Sequence, residues 1–192
     1  MRGASGFVLW LSLSTTAAIF AGCVSSPRFR GASIPETAKK EIAEETAGNN
    51  TVVNADSVLP QLGKGGDDAG FDRGELMKAV QSMIGTPYNY SGTGLSGIDC
   101  SGFTARIYST VMKKQLPHSS FDQYNMCSAV PKGSEKVGDL VFFKTVGNSI
   151  SHVGIFLGGV YFAHASVSQG VTISSLESDY YKSRFAGTRR LQ

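Results

Sequence analysis

The chain has 192 residues, of which 41% are hydrophobic and 17% are charged. These proportions are those of an ordinary globular protein and exclude a chain that is disordered throughout. The formal net charge of +3 is not concentrated in a Lys/Arg-rich patch, so the sequence indicates no nucleic-acid partner. The three cysteines, Cys23, Cys100 and Cys127, are few and widely spaced, which excludes a disulfide framework and a CxxC metal-binding pair.

Residues 1–22 have the pattern of a signal peptide. Arg2 precedes an apolar run over 7–20 that is shorter than a membrane-spanning helix requires. The small residues Ala21-Gly22 stand directly before Cys23, as in the lipobox of bacterial lipoproteins. We therefore expect cleavage before Cys23 and attachment of a lipid to its thiol. An ordinary secretory signal is the alternative.

Either signal carries the protein out of the cytoplasm, and a lipid on Cys23 would attach it to a membrane. The residue after Cys23 is Val24 rather than Asp. By resemblance to lipoprotein sorting in Gram-negative bacteria, this favours the periplasmic face of the outer membrane if the host is Gram-negative.

Residues 23–70 are predicted to be a flexible tether. They are rich in Ser, Asn, Gly, Glu and Ala, and the segment 63–68 (Gly-Lys-Gly-Gly-Asp-Asp) is typical of a linker. Residues 36–47 have the composition of a short polar helix without a wide apolar face. The sequence therefore predicts a spacer that separates a domain over 71–192 from the lipid.

The domain opens with three predicted helices. The first begins near Asp72 and ends before Gly85 and Pro87, and the second follows Asp99. A capping box at Ser120 indicates a short third helix. The apolar residues at helical spacing are Leu76, Val80, Met83 and Ile84 in the first helix, and Phe103, Ile107 and Val111 in the second.

After Gly138 the pattern changes to that of strands. They are predicted over 140–143, 152–157, 160–164, 171–175 and 188–191. Helices followed by a meander of strands indicate an α+β fold.

Cys100 is the candidate nucleophile. Asp99 is of the residue type that caps helices, which would place Cys100 in the first turn, where the backbone N–H groups and the helix dipole favour a thiolate. Ser101-Gly102 are small enough to let a substrate approach. The alternative is a buried and unreactive cysteine.

His152 and His164 bracket a predicted hairpin and are an even number of residues apart (164 − 152 = 12). A strict two-residue turn at Gly158-Gly159 would place them on opposite faces of the sheet, whereas an odd loop or a bulge places them side by side. One imidazole could then deprotonate Cys100 while the other holds its tautomer. Two unrelated histidines are the alternative.

The side-by-side arrangement has detailed consequences for the hairpin. It predicts Phe156 opposite Val160 and Gly154 opposite Phe162. It also predicts that the thiol reaches His152 through the gap left by the missing side chain of Gly154.

A zinc site is a competing interpretation of the cysteines and histidines. Their positions show no close ligand-pair spacing, so the sequence favours the absence of a metal. We expect Cys127 in the core and His118 in a surface loop.

Several blocks of the sequence resemble the NlpC-type cysteine peptidases, most closely the Spr-like murein endopeptidase lipoproteins. The resemblance covers about residues 71–192, with every block in order. The blocks are Gly85-Thr86-Pro87-Tyr88, Gly97-Ile98-Asp99-Cys100-Ser101-Gly102-Phe103, Leu116-Pro117, Gly138-Asp139-Leu140-Val141-Phe142-Phe143, His152-Val153-Gly154-Ile155 and His164-Ala165-Ser166.

The resemblance implies a papain-like domain with N-terminal helices packed on an antiparallel sheet of five or six strands. It implies Cys100, His152 and His164 as the catalytic triad and places Tyr88 near the oxyanion site. The substrate would be peptidoglycan, hydrolysed at an amide bond of its stem peptides or cross-links without a cofactor. We expect Asp99 and Ser101 to line the site, with a pure helix-capping role as the alternative for Asp99.

The sequence departs from the family pattern at two places. Tyr90-Ser91-Gly92 replaces a more usual Gly-Gly pair, and His118 stands where Arg is frequent. Two other functions stay open on the same fold, a non-catalytic peptidoglycan-binding lipoprotein and an acyltransferase.

Overall fold

The computed structural model describes residues 36–47, 53–64 and 70–192. These residues fall within one unit that spans Ile34–Gln192. The predicted signal peptide and the lipid-bearing Cys23 lie outside the described residues. In the part of the chain that is described, no helix is long and apolar enough to cross a membrane.

The helices precede most of the strands along the chain. The helices are α1 (Glu36–Ala47), α2 (Ala55–Leu62), α3 (Arg73–Gln81), α4 (Cys100–Ile107), α5 (Ser120–Met126) and α6 (Asp179–Lys182). The strands are β1 (Thr93–Gly94), β2 (Gly97–Ile98), β3 (Ser128–Ala129), β4 (Leu140–Phe143), β5 (His152–Gly158), β6 (Tyr161–Ser166), β7 (Gly170–Ser175) and β8 (Phe185–Arg190).

The main sheet has six strands in the order β3-β8-β4-β5-β6-β7, and every neighbouring pair is antiparallel. Helices and an antiparallel sheet confirm the predicted α+β class. The short strands β1 and β2 form a separate hairpin, which directly precedes α4.

The starts of the helices follow from capping side chains. The Asp72 carboxylate accepts hydrogen bonds from two backbone N–H groups in the first turn of α3, which satisfies donors that lack a partner within the helix. The second predicted helix is α4, and it continues as a π-helical turn over Tyr108–Met112. The third, α5, begins at Ser120, but its cap is Ser119. The predicted capping box at Ser120 was therefore wrong by one residue.

The two faces of the main sheet carry different cores. Because successive side chains in a strand point to opposite faces, Val153 and Ile155 of β5 pack with the helices, in a cluster that includes Leu76 of α3 and Phe103 of α4. The opposite face carries an aromatic cluster of Phe143, Phe162, Tyr180 and Tyr181, with Val141 and Phe156. His152 and His164 contact this aromatic cluster through Phe143 and Phe162.

The β5–β6 hairpin confirms part of the prediction and corrects the rest. It contains an irregularity between Phe156 and Gly158, so it is not a plain two-residue turn. Phe156 pairs with Phe162, so neither predicted pairing, Phe156 with Val160 or Gly154 with Phe162, is present. The innermost pair is Gly158 with Tyr161, and the extra residue between Phe156 and Gly158 shifts the register. From Phe156 towards the histidines, the numbers of the paired residues still add up to an even number, as the prediction required. His152 and His164 therefore share a face of the sheet, but they stand in diagonal positions instead of directly opposite one another.

The gap at Gly154 also differs from the prediction. A Cβ atom at Gly154 would lie 2.7 Å from the Phe162 ring and 3.2 Å from the Cβ atom of His164. The space is therefore filled by β6 and is not a path for the thiol of Cys100.

Part of the predicted spacer packs against the domain. Leu59 of α2 is buried in the core that the helices share, and the Gln81 side chain of α3 donates a hydrogen bond to Asp56 of α2. Helix α1 places Glu45 against Tyr181. The sequence predicted no such contacts, because they join residues that are far apart in the chain.

Candidate active site

Cys100 is the first residue of α4, and Asp99 is the N-cap of that helix. The Asp99 carboxylate accepts hydrogen bonds from the backbone N–H of Gly102 at 2.7 Å and from the hydroxyl of Ser101 at 2.9 Å. The predicted capping role of Asp99 is therefore confirmed. The cap holds the thiol at the positive end of the helix dipole.

A cavity of about 350 Å³ opens beside Cys100. Tyr88, Asp99 and Ser101, the three residues expected to bind substrate, all line it. Ser151, the neighbour of His152 in the chain, also lines it. The other lining residues are Thr37, Tyr90, Ser91, His118, Ser119, Ser120 and Val146.

His152 and His164 lie within hydrogen-bond distance of each other. The Nε2 atom of His152 is 2.9 Å from the Nδ1 atom of His164. The Nε2 atom of His164 is in turn 3.0 Å from the hydroxyl of Ser174. Because Nε2 of His152 is engaged by His164, its Nδ1 atom is the one that can exchange a proton with a thiol.

Burial keeps both imidazoles uncharged at neutral pH. It lowers the pKa of His152 from its ordinary value to about 4, while the negative charges of Glu45 and Asp99 oppose the change. Burial holds the pKa of His164 well below its ordinary value, and repulsion from a protonated His152 lowers it further. A neutral His152 can accept a proton, as a general base must.

His118 is part of the site, although it was expected only in a surface loop. It does lie in a loop, with 33% of its side chain exposed. Its Nε2 atom is 2.9 Å from both carboxylate oxygens of Asp99, and its side chain lines the cavity. The histidine in place of a frequent arginine was the sequence signal that could have indicated this role.

Cys127 is confirmed as a core residue. It is 3% exposed, and burial raises the pKa of its thiol to about 11. Such a thiol stays protonated and unreactive at neutral pH. Within the described residues, no group of three or more His, Cys, Asp or Glu side chains is arranged to hold a metal ion, so the zinc interpretation gains no support.

Three further residues extend the histidine pair and were not predicted. They are Ser174, Tyr181 and Glu45. The hydroxyl of Tyr181 is 3.3 Å from Nε2 of His164 and donates a 2.6 Å hydrogen bond to Glu45. No local pattern marks these residues, because they come from three separate parts of the chain.

Comparison with known proteins relates the domain to one family. The sequence profile of the NlpC/P60 family matches residues 85–190, more than half of the chain. The chain is 37% identical over 119 residues to the murein DD-endopeptidase MepS/murein LD-carboxypeptidase of Escherichia coli (strain K12), a match that covers 62% of this chain and 63% of that protein. It is 41% identical over 117 residues to the probable endopeptidase NlpC of the same strain, covering 60% and 76%.

A solved structure agrees with these matches. An NlpC/P60 family protein from Bacillus cereus ATCC 10987 superimposes with a TM-score of 0.57 and 32% identity, over 62% of this chain and 40% of that one. The chain therefore spans less than two thirds of the length of the murein endopeptidase and of this structural relative.

Proposed function

Because the chain belongs to the NlpC/P60 family, we propose that it is a cysteine endopeptidase that hydrolyses amide bonds in peptidoglycan stem peptides or cross-links. The observation that carries the proposal is the hydrogen-bonded pair of His152 and His164, next to a cavity lined by Cys100 at the start of a helix. The names of the Escherichia coli relatives, which specify murein or an endopeptidase, support peptidoglycan as the substrate.

The reaction follows from the roles of three residues. Nδ1 of His152 takes the proton of the Cys100 thiol, and the sulfur attacks the carbonyl carbon of the substrate. When the tetrahedral intermediate collapses, the C–N bond breaks and His152 returns the proton to the leaving amine. Water, deprotonated by His152, then hydrolyses the thioester and releases a carboxylate and the free thiol. His164 orients the ring of His152 throughout.

The cavity residues would bind the substrate. Tyr88 would stand near the oxyanion of the tetrahedral intermediate, as the family resemblance implies. Asp99 would offer a negative charge and Ser101 a hydroxyl beside the nucleophile. His118, hydrogen-bonded to Asp99, would place a further polar group on the same wall.

Digestion of purified peptidoglycan tests the activity, with mass analysis of the muropeptides released. We expect Cys100→Ala to abolish release with little change in thermal stability, because the side chain borders a cavity. The matched control is Cys127→Ala, which should keep its activity because its thiol is buried and protonated. Release of muropeptides by Cys100→Ala would overturn the mechanism. Binding of peptidoglycan by the wild type without release would favour the non-catalytic alternative.

The location rests on Cys23. We propose that the mature chain begins at Cys23 and is lipid-anchored in the cell envelope, at the periplasmic face of the outer membrane in a Gram-negative host. The wild type should then label with palmitate and sediment with membranes, and Cys23→Ser should do neither. A soluble wild type with a free N-terminal residue would contradict the anchor.

A further inference from the structure

Glu45 is a buried carboxylate that the proposed mechanism does not use. It lies on α1, outside the residues that match the family profile, and it is 2% exposed. Its Oε1 atom accepts the hydrogen bond from Tyr181, and its Oε2 atom accepts from the backbone N–H and the hydroxyl of Ser168 at 3.3 and 3.0 Å. None of these donors, all among the described residues, is a cation. Burying a carboxylate without a cation is costly, so its position beside the histidine pair indicates a role.

The direction of each hydrogen bond can be followed from Glu45 to the catalytic base. A carboxylate only accepts, so the single hydroxyl proton of Tyr181 goes to Glu45. The phenol oxygen must therefore accept from Nε2–H of His164. The Nδ1 atom of His164 then carries no proton and accepts from Nε2–H of His152. This leaves Nδ1 of His152 as the basic nitrogen.

Ser174 does not determine this direction by itself. Its hydroxyl, 3.0 Å from Nε2 of His164, can donate or accept and so fits either tautomer of the ring. Glu45 is the member of the network that can only accept.

We propose that Glu45 is a positioning residue for the reaction: through Tyr181 and His164 it holds His152 in the tautomer whose Nδ1 atom accepts the Cys100 proton. The inference rests on the proposed function above. It makes α1 a part of the active enzyme, even though its sequence has the composition of a spacer.

The charge of Glu45 acts in the same direction as the hydrogen bonds. Burial lowers the pKa of His152, and the negative charges of Glu45 and Asp99 partly offset that effect. They thereby stabilise the imidazolium that forms when the thiol proton is transferred. The titratable groups that act on or contact His152 are Glu45 on α1, Asp99 at the start of α4, His164 on β6 and Tyr181 on α6.

The tautomers test the proposal directly, and no substrate is needed. In long-range ¹H–¹⁵N spectra of the full chain at neutral pH, both histidines should be in the Nε2–H form. A Glu45→Gln variant can donate through its amide, so Tyr181 can turn its proton towards His164. We expect the Nδ1–H forms of both rings to become detectable in this variant.

Kinetics with peptidoglycan provide the second measurement. Glu45→Gln should lower kcat about tenfold, far less than the roughly 10⁴-fold loss that follows replacement of a directly bonded orienting carboxylate. KM should stay unchanged, because Glu45 does not line the cavity. In a plot of kcat against pH, the acid limb should move. On a Tyr181→Phe background the same change should have a smaller effect. The matched control is Glu44→Gln, which removes ion pairs with Lys40 and Arg184 that do not reach the histidines and should leave kcat unchanged.

Three results would overturn the proposal. The first is that the histidine tautomers of Glu45→Gln are unchanged, and the second is that its kcat is unchanged. The third is that Glu44→Gln loses as much kcat as Glu45→Gln does, which would mean that α1 acts only through packing. If Glu45→Gln does not fold, Tyr181→Phe decides, because it must produce the same tautomer change. Since the spectra are recorded without substrate, they remain decisive for Glu45 even if the wild type releases no muropeptides.

Discussion

The two buried histidines combine a chemical advantage with a cost in stability. His152 is 3% exposed, and its pKa of about 4 keeps the ring neutral and able to accept a proton at neutral pH. In the unfolded chain the same ring would take up a proton near its ordinary pKa of 6.5. Between these two values the unfolded state binds more protons than the folded state, so stability falls as the pH falls.

This difference predicts the pH dependence of the free energy of unfolding. From pH 7 to pH 4, His152 should reduce it by up to about 3 kcal/mol, since each pKa unit is worth about 1.4 kcal/mol. Below pH 4 the group adds no further loss. The measurement is urea denaturation at pH 7, 5.5 and 4. In a His152→Gln variant the free energy of unfolding should depend less steeply on pH, because this titrating group has been removed. Equal slopes in the two proteins would contradict the assignment of this pH dependence to His152.

At the scale of the element, the β5–β6 hairpin sets the distance between the two rings. Diagonal positions on neighbouring strands are farther apart than directly opposed ones, yet the ring nitrogens approach to 2.9 Å. Gly154 permits this, because the Phe162 ring and the backbone oxygen of Ala163 occupy the space that a side chain would need. Local packing of the hairpin thus positions the candidate general base.

Replacing this glycine should therefore disturb both stability and activity. A Cβ atom in Gly154→Ala would stand 2.7 Å from Phe162 and 2.8 Å from the carbonyl oxygen of Ala163. We expect a loss of about 1–3 kcal/mol in the free energy of unfolding, together with a lower kcat. The matched control is Gly94→Ala, where the nearest atom would be 3.9 Å away. Equal stability of the two variants would show that the hairpin can relax without cost.

At the scale of the whole molecule, the packed structure extends before residue 71. Leu59 of α2 is buried in the helical core, and Val53 donates a backbone hydrogen bond to Ile173 of β7. Arg184 near the C-terminus forms an ion pair with Glu44 of α1. A chain limited to 71–192 would lose these contacts and expose part of the core.

Truncation measures what this region contributes. Compared with a chain of residues 34–192, a chain of residues 71–192 should have a Tm lower by at least about 4 °C. This is the effect of losing about 2 kcal/mol from the burial of one leucine in a chain of this size. Differential scanning calorimetry of both chains provides the comparison. An unchanged Tm would mean that α1 and α2 add no net stability.

The sequence alone determined those features that depend on neighbours along the chain. Helical spacing and Asp99 located the start of α4 and hence Cys100, because a cap and an apolar stripe act within a few residues. The even separation of His152 and His164 required that a hairpin pairing them carry an odd loop or a bulge, because side chains in a strand alternate with a period of two. The same local patterns predicted α3, α4 and α5 and the strand-rich second half, but not α2 or α6.

Only the tertiary structure decided which groups surround the histidine pair. The Glu45–Tyr181 hydrogen bond joins residues 136 positions apart, and no periodicity along the chain indicates such a contact. The register of Phe156 with Phe162 likewise depended on the irregularity between Phe156 and Gly158, which no local pattern located. A polar helix has no wide apolar face to show where it packs, and the hydrogen bonds of Glu45 with Ser168 and Tyr181 form only once the domain has folded.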